Sequence, residues 1–269
     1  MPELPEVETV LRTLEDRIKD REITGIKVLY EPIVSGSVSS FRKKLLHQHF
    51  RVFKRRGKFL IFVMDDITLV SHLRMEGKYY ILTKDDPIDR HTHVIFELDD
   101  GRQLRYHDVR KFGRMELMEK REDYDEFHGL GPEPFSSDFS LRYCREYLQG
   151  IRKPIKEVLL DQSFVAGIGN IYADEILWAI NVHPLRKACE LSDEEIKDLI
   201  KATRNILKKA IKAGGTTIRS YTSSLGVTGR FQLSLNCHTV EKCKTCGSEI
   251  KKIRVGGRGT YYCPLCQKR

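Results

Sequence analysis

The chain has 269 residues, of which 40 % are hydrophobic and 32 % are charged. It is long enough for two domains, each with its own hydrophobic core, and it is not a small scaffold stabilised by disulfides. The formal charge of +9, from 47 basic and 38 acidic side chains, favours a polyanionic partner. An acidic N-terminus and the absence of any run of ~18 apolar residues exclude a signal peptide and a membrane span, so we expect a cytoplasmic protein.

The first nine residues combine prolines with glutamates, and Pro2 would become the N-terminal residue once the initiator methionine is removed. Its ring nitrogen would then be a free amine. A generic α-amino group, with a pKa near ~8, is neutral at physiological pH far more often than a lysine, with a pKa near ~10.4. Such an amine condenses with an aldehyde-level carbon to an iminium, an electron sink for cleaving neighbouring bonds. Proline and glutamate also suit the first turn of an ordinary helix, which the apolar spacing from Leu4 to Ile18 predicts.

The first 130 residues have the pattern of a β-sandwich flanked by helices. Besides the N-terminal helix, a short helix is predicted at residues 41–49. Alternating and apolar runs predict strands at residues 22–30, 59–64, 68–73, 78–82, 94–98, 103–106 and 115–118.

A basic run at residues 51–58 carries five positive charges and no negative charge, and it leads into an apolar strand. Gly57 predicts a turn that would place Lys58 at the mouth of that strand. A solvated charged surface is the ordinary interpretation of such a run, whereas a lysine held at a turn beside a buried strand indicates a functional position.

Two loops, at residues 71–77 and 107–113, each join polar groups to a large apolar side chain beside a glycine. Proteins that act on a base within duplex DNA turn the base out, and they fill the gap with an apolar wedge and a hydrogen-bonding side chain. Met75, Phe112 and Arg110 suit that task, although core packing and an ordinary surface arginine are the alternative.

A glycine- and proline-rich stretch at residues 129–134 predicts a linker, and the pattern after it is helical. Helices are predicted at residues 141–148, 155–161, 172–180 and 192–213. Glycines before the third of these helices predict either an anion site to which Asn170 adds a donor, or a tight turn. The Gly-, Ser- and Thr-rich residues 214–230 predict a lid or a connector.

Two Cys-x-x-Cys pairs, sixteen residues apart, close the chain and predict one structural Zn²⁺ held by four thiolates. The ligands would be Cys243, Cys246, Cys263 and Cys266. A hairpin of strands at residues 250–254 and 260–262 is predicted between the pairs. Residues 242–269 hold eight basic and one acidic residue, which indicates a phosphate-binding finger with Arg258 at its tip.

Together these stretches resemble the bacterial formamidopyrimidine-DNA glycosylases, the Fpg or MutM family of the Fpg/Nei superfamily, over essentially the whole chain. Leu4-Pro5 is similar to the Fpg group, because the Nei group usually begins Pro-Glu-Gly. The resemblance rests on the zinc finger and on residues 2–8, 55–58, 72–75, 108–113, 130–134 and 167–172.

The resemblance implies an α+β monomer with one Zn²⁺. Its N-terminal β-sandwich, flanked by helices, would be the catalytic domain at residues 1–130. Residues 131–236 would form a helical helix-two-turn-helix DNA-binding domain with a lesion-recognition loop, and residues 237–269 the β-hairpin zinc finger.

The implied activity is that of a bifunctional glycosylase and AP lyase that excises oxidised purines, such as 8-oxoguanine and formamidopyrimidines, from double-stranded DNA through a Schiff base and β,δ-elimination. Pro2 would attack C1′, and Glu3 would be the acid/base. Lys58 would assist elimination, and Arg258 would bind the phosphates of the flipped nucleotide. The other DNA contacts implied are His91, Arg110, Arg152, Lys156, Asn170, Met75 and Phe112.

Residues 231–243 depart from the family, which commonly has a Val-Tyr-Gly-Arg segment and a slightly longer approach to the first zinc cysteine. Two rival functions stay open at this point. One is an Nei-like glycosylase for oxidised pyrimidines, and the other is a non-catalytic zinc-finger nucleic-acid binder.

Overall fold

The computed structural model describes residues 1–120, 127–216 and 229–268. They divide into two compact units, one containing residues 1–120 and the other containing residues 127–216 and 230–268. Within the described ranges, none of the helices has the length and apolar character needed to cross a membrane.

The first unit begins with helix α1, Leu4–Ile18, which is started by a capping box. The backbone N–H of Glu3 donates to Glu6 Oε2 at 2.9 Å, and the Glu3 side chain accepts from the backbone of Glu6. These two hydrogen bonds satisfy amides that the first turn of a helix leaves without intrahelical partners. The apolar face of α1 is buried in the core, as its sequence spacing predicts.

Two four-stranded antiparallel sheets form the predicted β-sandwich around this core. The first sheet has the order β1-β6-β7-β5 and the second has the order β2-β3-β4-β8. Phe62 and Tyr79, one from each sheet, meet edge to face with ring centroids 6.0 Å apart. The strands are β1 Ile23–Val28, β2 Val52–Arg56, β3 Phe59–Val63, β4 Ile67–His72, β5 Lys78–Thr83, β6 Thr92–Leu98, β7 Arg102–His107 and β8 Arg114–Glu119.

Two elements of this unit differ from the sequence prediction. Helix α2 is Val38–Leu45 rather than residues 41–49, because the Ser37 hydroxyl caps it by accepting from the Ser40 amide. Strand β2 lies in the basic run, where no strand was predicted. It is stabilised by pairing with β3 and by the burial of Phe53, and its charged side chains obscured the alternation.

The second unit contains the predicted helices and the finger hairpin. Ser192 and Glu195 form the expected capping box. The helices are α3 Leu141–Leu148, α4 Ile155–Leu160, α5 Asn170–Ala179 and α6 Asp193–Lys212, and the hairpin strands are β9 Lys251–Val255 and β10 Arg258–Tyr262.

The finger packs directly on the segment that follows α5 in the same unit. Gln267 Nε2 donates to the Val182 carbonyl at 2.9 Å, and the Lys268 amide donates to the Asn181 carbonyl at 3.1 Å. The rings of His183 and Tyr262 lie 4.5 Å apart. The predicted boundary between residues 236 and 237 therefore falls inside one compact unit.

Candidate functional site

The turn between β2 and β3 holds Lys58 in a fixed place. Gly57 has φ +56°, a left-handed conformation that glycine adopts without steric cost, and Lys58 is only 6 % exposed. Arg55 donates to Glu8 at 2.8 Å and to the Gly57 carbonyl at 2.9 Å, so it ties the turn to α1. Burial opposes the ionisation of Glu8, but Arg55 holds the pKa of this carboxyl below its ordinary value.

The N-terminus lies in the same charged environment as Lys58. Pro2 is buried, and Glu3, at the start of α1, is only 3 % exposed. Burial lowers the pKa of the terminal amine of Met1 below its ordinary value of 8.0, and Lys58 lowers it further. The carboxylates of Glu3, Glu6 and Glu76 act in the opposite direction. The structure thus brings the amino terminus, the buried lysine and three carboxylates within electrostatic reach of one another.

The two loops predicted to carry wedge residues are both at the surface of the first unit. Phe112 is 48 % exposed, Met75 is half-buried and Arg110 is exposed. The Arg110 guanidinium lies 4.9 Å from the centroid of the Phe112 ring, which is cation–π distance. Asp108 is fully buried and accepts hydrogen bonds from the amides of Arg110, Phe112 and Gly113 at 2.8–3.0 Å.

His91 immediately precedes β6 and is half-buried. Its Nε2 is 3.0 Å from Arg90 Nε, and its ring is 5.5 Å from that of His107. Its expected role as a DNA contact stays a prediction.

In the second unit, Arg152 is exposed, and Arg258 is exposed at the start of β10. Asn170, the first residue of α5, donates through Nδ2 to the Gly259 carbonyl at 2.9 Å. This hydrogen bond places Asn170 beside the finger residue that follows Arg258. Asn170 Oδ1 is buried and accepts no hydrogen bond from any described residue.

Lys156 is the one predicted DNA contact whose ammonium is inaccessible. Its side chain is 0 % exposed and forms an ion pair with the fully buried Asp174. A phosphate contact needs an accessible ammonium, so this burial argues against a direct contact, and the role of Lys156 in DNA binding stays a prediction. Lys156 is a structural partner of Asp174, which also accepts from His238 Nδ1 at 2.6 Å and from the Tyr261 amide at 3.3 Å.

The four predicted zinc ligands come together. Their Sγ atoms all lie within 4.8 Å of one another. Cys246 and Cys263 are 3.4 Å apart at sulfur, and Cys243 and Cys266 are 3.9 Å apart. Zn–S bonds of ~2.3 Å in a tetrahedron place sulfurs at about these separations, so the donor set fits one structural Zn²⁺. Trp178 Nε1 donates to Cys243 Sγ at 3.4 Å.

Sequence reasoning missed the acidic pair on α5 that organises the atypical segment. Glu175 is 1 % exposed and accepts from the backbone amides of Asn236, Cys237 and His238 at 2.8–3.1 Å. The detectable signal was an Asp-Glu pair inside an otherwise apolar helix, because adjacent acids there need buried partners. The predicted lesion-recognition loop at residues 216–230 lies almost wholly outside the described residues.

The first unit is a β-sandwich in which Pro2, Glu3 and Lys58 are buried, and the second is a helical unit that bears a four-cysteine finger. This combination is that of a zinc-finger DNA glycosylase. Family models support each part of this assignment. The formamidopyrimidine-DNA glycosylase N-terminal domain matches residues 1–115, and the H2TH domain of the same enzymes matches residues 130–222. The zinc finger found in FPG and IleRS matches residues 241–269.

The chain belongs to the formamidopyrimidine-DNA glycosylase family, and it is therefore a DNA glycosylase with AP lyase activity. It is 46 % identical to the Bacillus subtilis enzyme and 47 % identical to the Bacillus licheniformis enzyme, over the full length of both chains in each pair. A Lactococcus lactis FPG mutant in complex with DNA containing Fapy-dG has a TM-score of 0.94 and 45 % identity, with full coverage of both chains. The Lactococcus lactis Fpg complex with abasic-site DNA has the same TM-score and identity, with 99 % of this chain covered.

Proposed function

We propose that this protein excises oxidised purines, including 8-oxoguanine and formamidopyrimidines, from double-stranded DNA and then cleaves the resulting abasic site by β,δ-elimination. The nucleophile is the nitrogen of Pro2 after methionine removal. The single observation that carries this proposal is the position of Pro2, which is buried directly after a terminal amine whose pKa is lowered by burial and by Lys58. A neutral amine at physiological pH is what nucleophilic attack requires.

The reaction begins when the Pro2 nitrogen attacks C1′ and the bond from C1′ to the damaged base breaks, and the proton that the nitrogen loses goes to the departing base. Glu3 then gives a proton to the departing sugar ring oxygen, so the ring opens and C1′ becomes doubly bonded to nitrogen. A proton acceptor then removes a C2′ proton, the iminium accepts the electrons of that C–H bond, and the 3′ phosphate leaves. A second elimination expels the 5′ phosphate, and water releases the remaining sugar fragment from Pro2.

Lys58 and Glu3 suit these proton transfers because both lie at the amino terminus and both are nearly buried. Low exposure strengthens their electrostatic effect on the developing charges. Lys58 assists the eliminations. It also binds a phosphate of the damaged nucleotide, and this contact keeps the leaving group in place.

The second unit binds the DNA backbone. Arg258 and Arg152 are exposed cations, and Arg258 is held at the hairpin turn of a finger that fits Zn²⁺. The Asn170 side chain donates to the Gly259 carbonyl of the finger. It can give up this hydrogen bond and donate to a DNA phosphate instead. Solved relatives are in complex with DNA that contains Fapy-dG or an abasic site, so the same class of partner is proposed for this chain. We further propose that the chain acts as a monomer in the bacterial cytoplasm.

Eversion of the damaged base leaves a gap that Met75 and Phe112 fill, while Arg110 pairs with the estranged cytosine. The exposure of Phe112 and the stacking of Arg110 on its ring support this role, because both side chains reach outward from a loop fixed by Asp108.

A lesion panel tests the proposal. Duplexes containing 8-oxoguanine or thymine glycol should be incubated with the protein under single-turnover conditions. We expect faster excision of 8-oxoguanine, followed by strand scission. Preference for thymine glycol would favour an Nei-like enzyme instead, and binding without any scission would indicate a non-catalytic finger protein.

A further inference from the structure

The two loops that carry the wedge residues leave the same end of the sandwich side by side. One joins the end of β4 to the start of β5, and the other joins the end of β7 to the start of β8. His72 of β4 pairs with Arg114 of β8, and Lys78 of β5 pairs with His107 of β7. Both loops therefore cross from one sheet to the other between the same two pairs of strands.

A single buried side chain, Tyr106 of β7, lies against the glycine that ends each loop. A Cβ atom added at Gly113 would overlap the Tyr106 hydroxyl oxygen and lie 2.7 Å from its Cζ. A Cβ atom added at Gly77 would overlap the same oxygen and lie 2.6 Å from the Leu73 carbonyl oxygen. Tyr106 is 0 % exposed, so its hydroxyl group fills the space between the two loop ends.

Each loop is also held rigidly by its own hydrogen bonds. The Arg74 amide donates to His72 Nδ1 at 2.9 Å, and the Gly77 amide donates to the Leu73 carbonyl at 2.9 Å. Asp108 binds three amides of the other loop. Because close-packed groups transmit displacement rather than absorb it, movement of one loop end reaches the other through the Tyr106 ring.

We infer that Tyr106 is a positioning residue that sets the spacing of the two loops, so that Met75 and Phe112 enter the gap in the DNA together. This inference rests on the proposed function, because it concerns how the wedge residues of that function are held. Tyr106 touches neither the DNA nor the reacting atoms, and it acts only through the glycines at positions 77 and 113.

The first test compares Tyr106→Phe with Tyr79→Phe. Tyr79 is a matched control, since its ring lies 5.2 Å from that of Tyr106 and is equally buried, but its hydroxyl binds Ser71 at 2.7 Å. Eversion is followed by the fluorescence of 2-aminopurine placed beside 8-oxoguanine in a duplex. We expect Tyr106→Phe to slow eversion by about tenfold, whereas Tyr79→Phe stays within about twofold of the unmodified protein.

A chemical control separates positioning from folding. Borohydride trapping on a single-stranded abasic oligonucleotide needs no gap to be filled, so Tyr106→Phe should retain the trapping rate of the unmodified protein. Eversion by Tyr106→Phe that equals eversion by Tyr79→Phe would overturn the inference, and so would an equal loss on the single strand and the duplex.

A second test uses the coupling between the wedge side chains. Met75→Ala and Phe112→Ala, made singly and together, should be non-additive in eversion rate when Tyr106 is present. In the Tyr106→Phe background we expect the two effects to become additive, and unchanged coupling would contradict the inference. If the unmodified protein traps DNA on Pro2 while these results are negative, only this inference fails. If it traps none, the proposed function itself fails.

Discussion

The ammonium of Lys156 on α4 is buried against the carboxylate of Asp174 on α5, and Asp174 in turn contacts the finger through the Tyr261 amide. Because removal of Lys156 leaves the buried carboxylate of Asp174 without its ammonium partner, Lys156→Met should lower the free energy of unfolding of the second unit by about 3 kcal/mol. Denaturant unfolding measures this change. Lys153→Met, at an exposed lysine on the same segment, is the matched control and should have little effect.

A comparison of Lys156→Met with Arg152→Ala separates a structural cation from a phosphate-binding cation. Each phosphate contact contributes about 0.9 to the slope of log binding constant against log salt concentration. Arg152→Ala should reduce the magnitude of that slope by about 0.9, the contribution of one phosphate contact. Lys156→Met should leave the slope unchanged even if the affinity for DNA falls. A slope that falls in Lys156→Met would show that Lys156 contacts a phosphate directly.

Removal of zinc should be visible at Trp178, the only tryptophan of the chain, because its indole N–H donates to Cys243 Sγ. Few apolar residues surround the finger, so metal binding supplies much of its folding free energy. We expect a chelator, or Cys246→Ala, to change the Trp178 fluorescence and abolish DNA binding while the β-sandwich stays folded. Cys189→Ala, at an exposed cysteine outside the cluster, should leave both properties unchanged.

Arg110 should determine the preferred base opposite the lesion. Its guanidinium can donate two hydrogen bonds to the edge of an orphaned cytosine but matches adenine less well. Arg110→Ala should lower the ratio of excision opposite cytosine to excision opposite adenine by about tenfold. Lys44→Ala, which removes a positive charge from α2, should keep the ratio, and an unaltered ratio in Arg110→Ala would remove Arg110 from this role.

The pH profile of covalent trapping should report the charges around the amino terminus. Burial and Lys58 lower the pKa of the Met1 amine. We expect them to act in the same direction on the Pro2 amine, so that its neutral form persists to lower pH than for an ordinary amine. Glu76 raises the pKa of the Met1 amine, so Glu76→Gln should shift the acid limb of the profile to lower pH. Lys58→Gln should shift the limb to higher pH, besides lowering the elimination rate. Shifts in the same direction for both variants would contradict the assignment.

The sequence predicted what local patterns determine. The apolar spacing of α1, the Ser192 capping box and the two Cys-x-x-Cys pairs each depend on residues close in the chain, and all are confirmed. The family and its enzymatic class also followed from the ordered motifs.

The rest depended on contacts between distant residues. Strand β2 was missed because its charges find partners on α1, as Arg55 does with Glu8 across 47 positions. The burial of Lys156 was missed because Asp174 lies 18 residues further on, and no spacing rule joins the two. Tyr106 gave no signal, since a tyrosine in an alternating strand indicates only a core position.

The most direct measurement of the central claim is borohydride trapping of the protein on DNA that contains 8-oxoguanine, followed by peptide mapping. The iminium has a reducible C=N bond, so a stable protein–DNA adduct should form, and the DNA should be attached to Pro2. A stable N-terminal extension, which blocks the ring nitrogen, should abolish the adduct. An adduct that maps to Lys58, or that survives the extension, would show that a lysine is the nucleophile and that Pro2 is only the start of a helix.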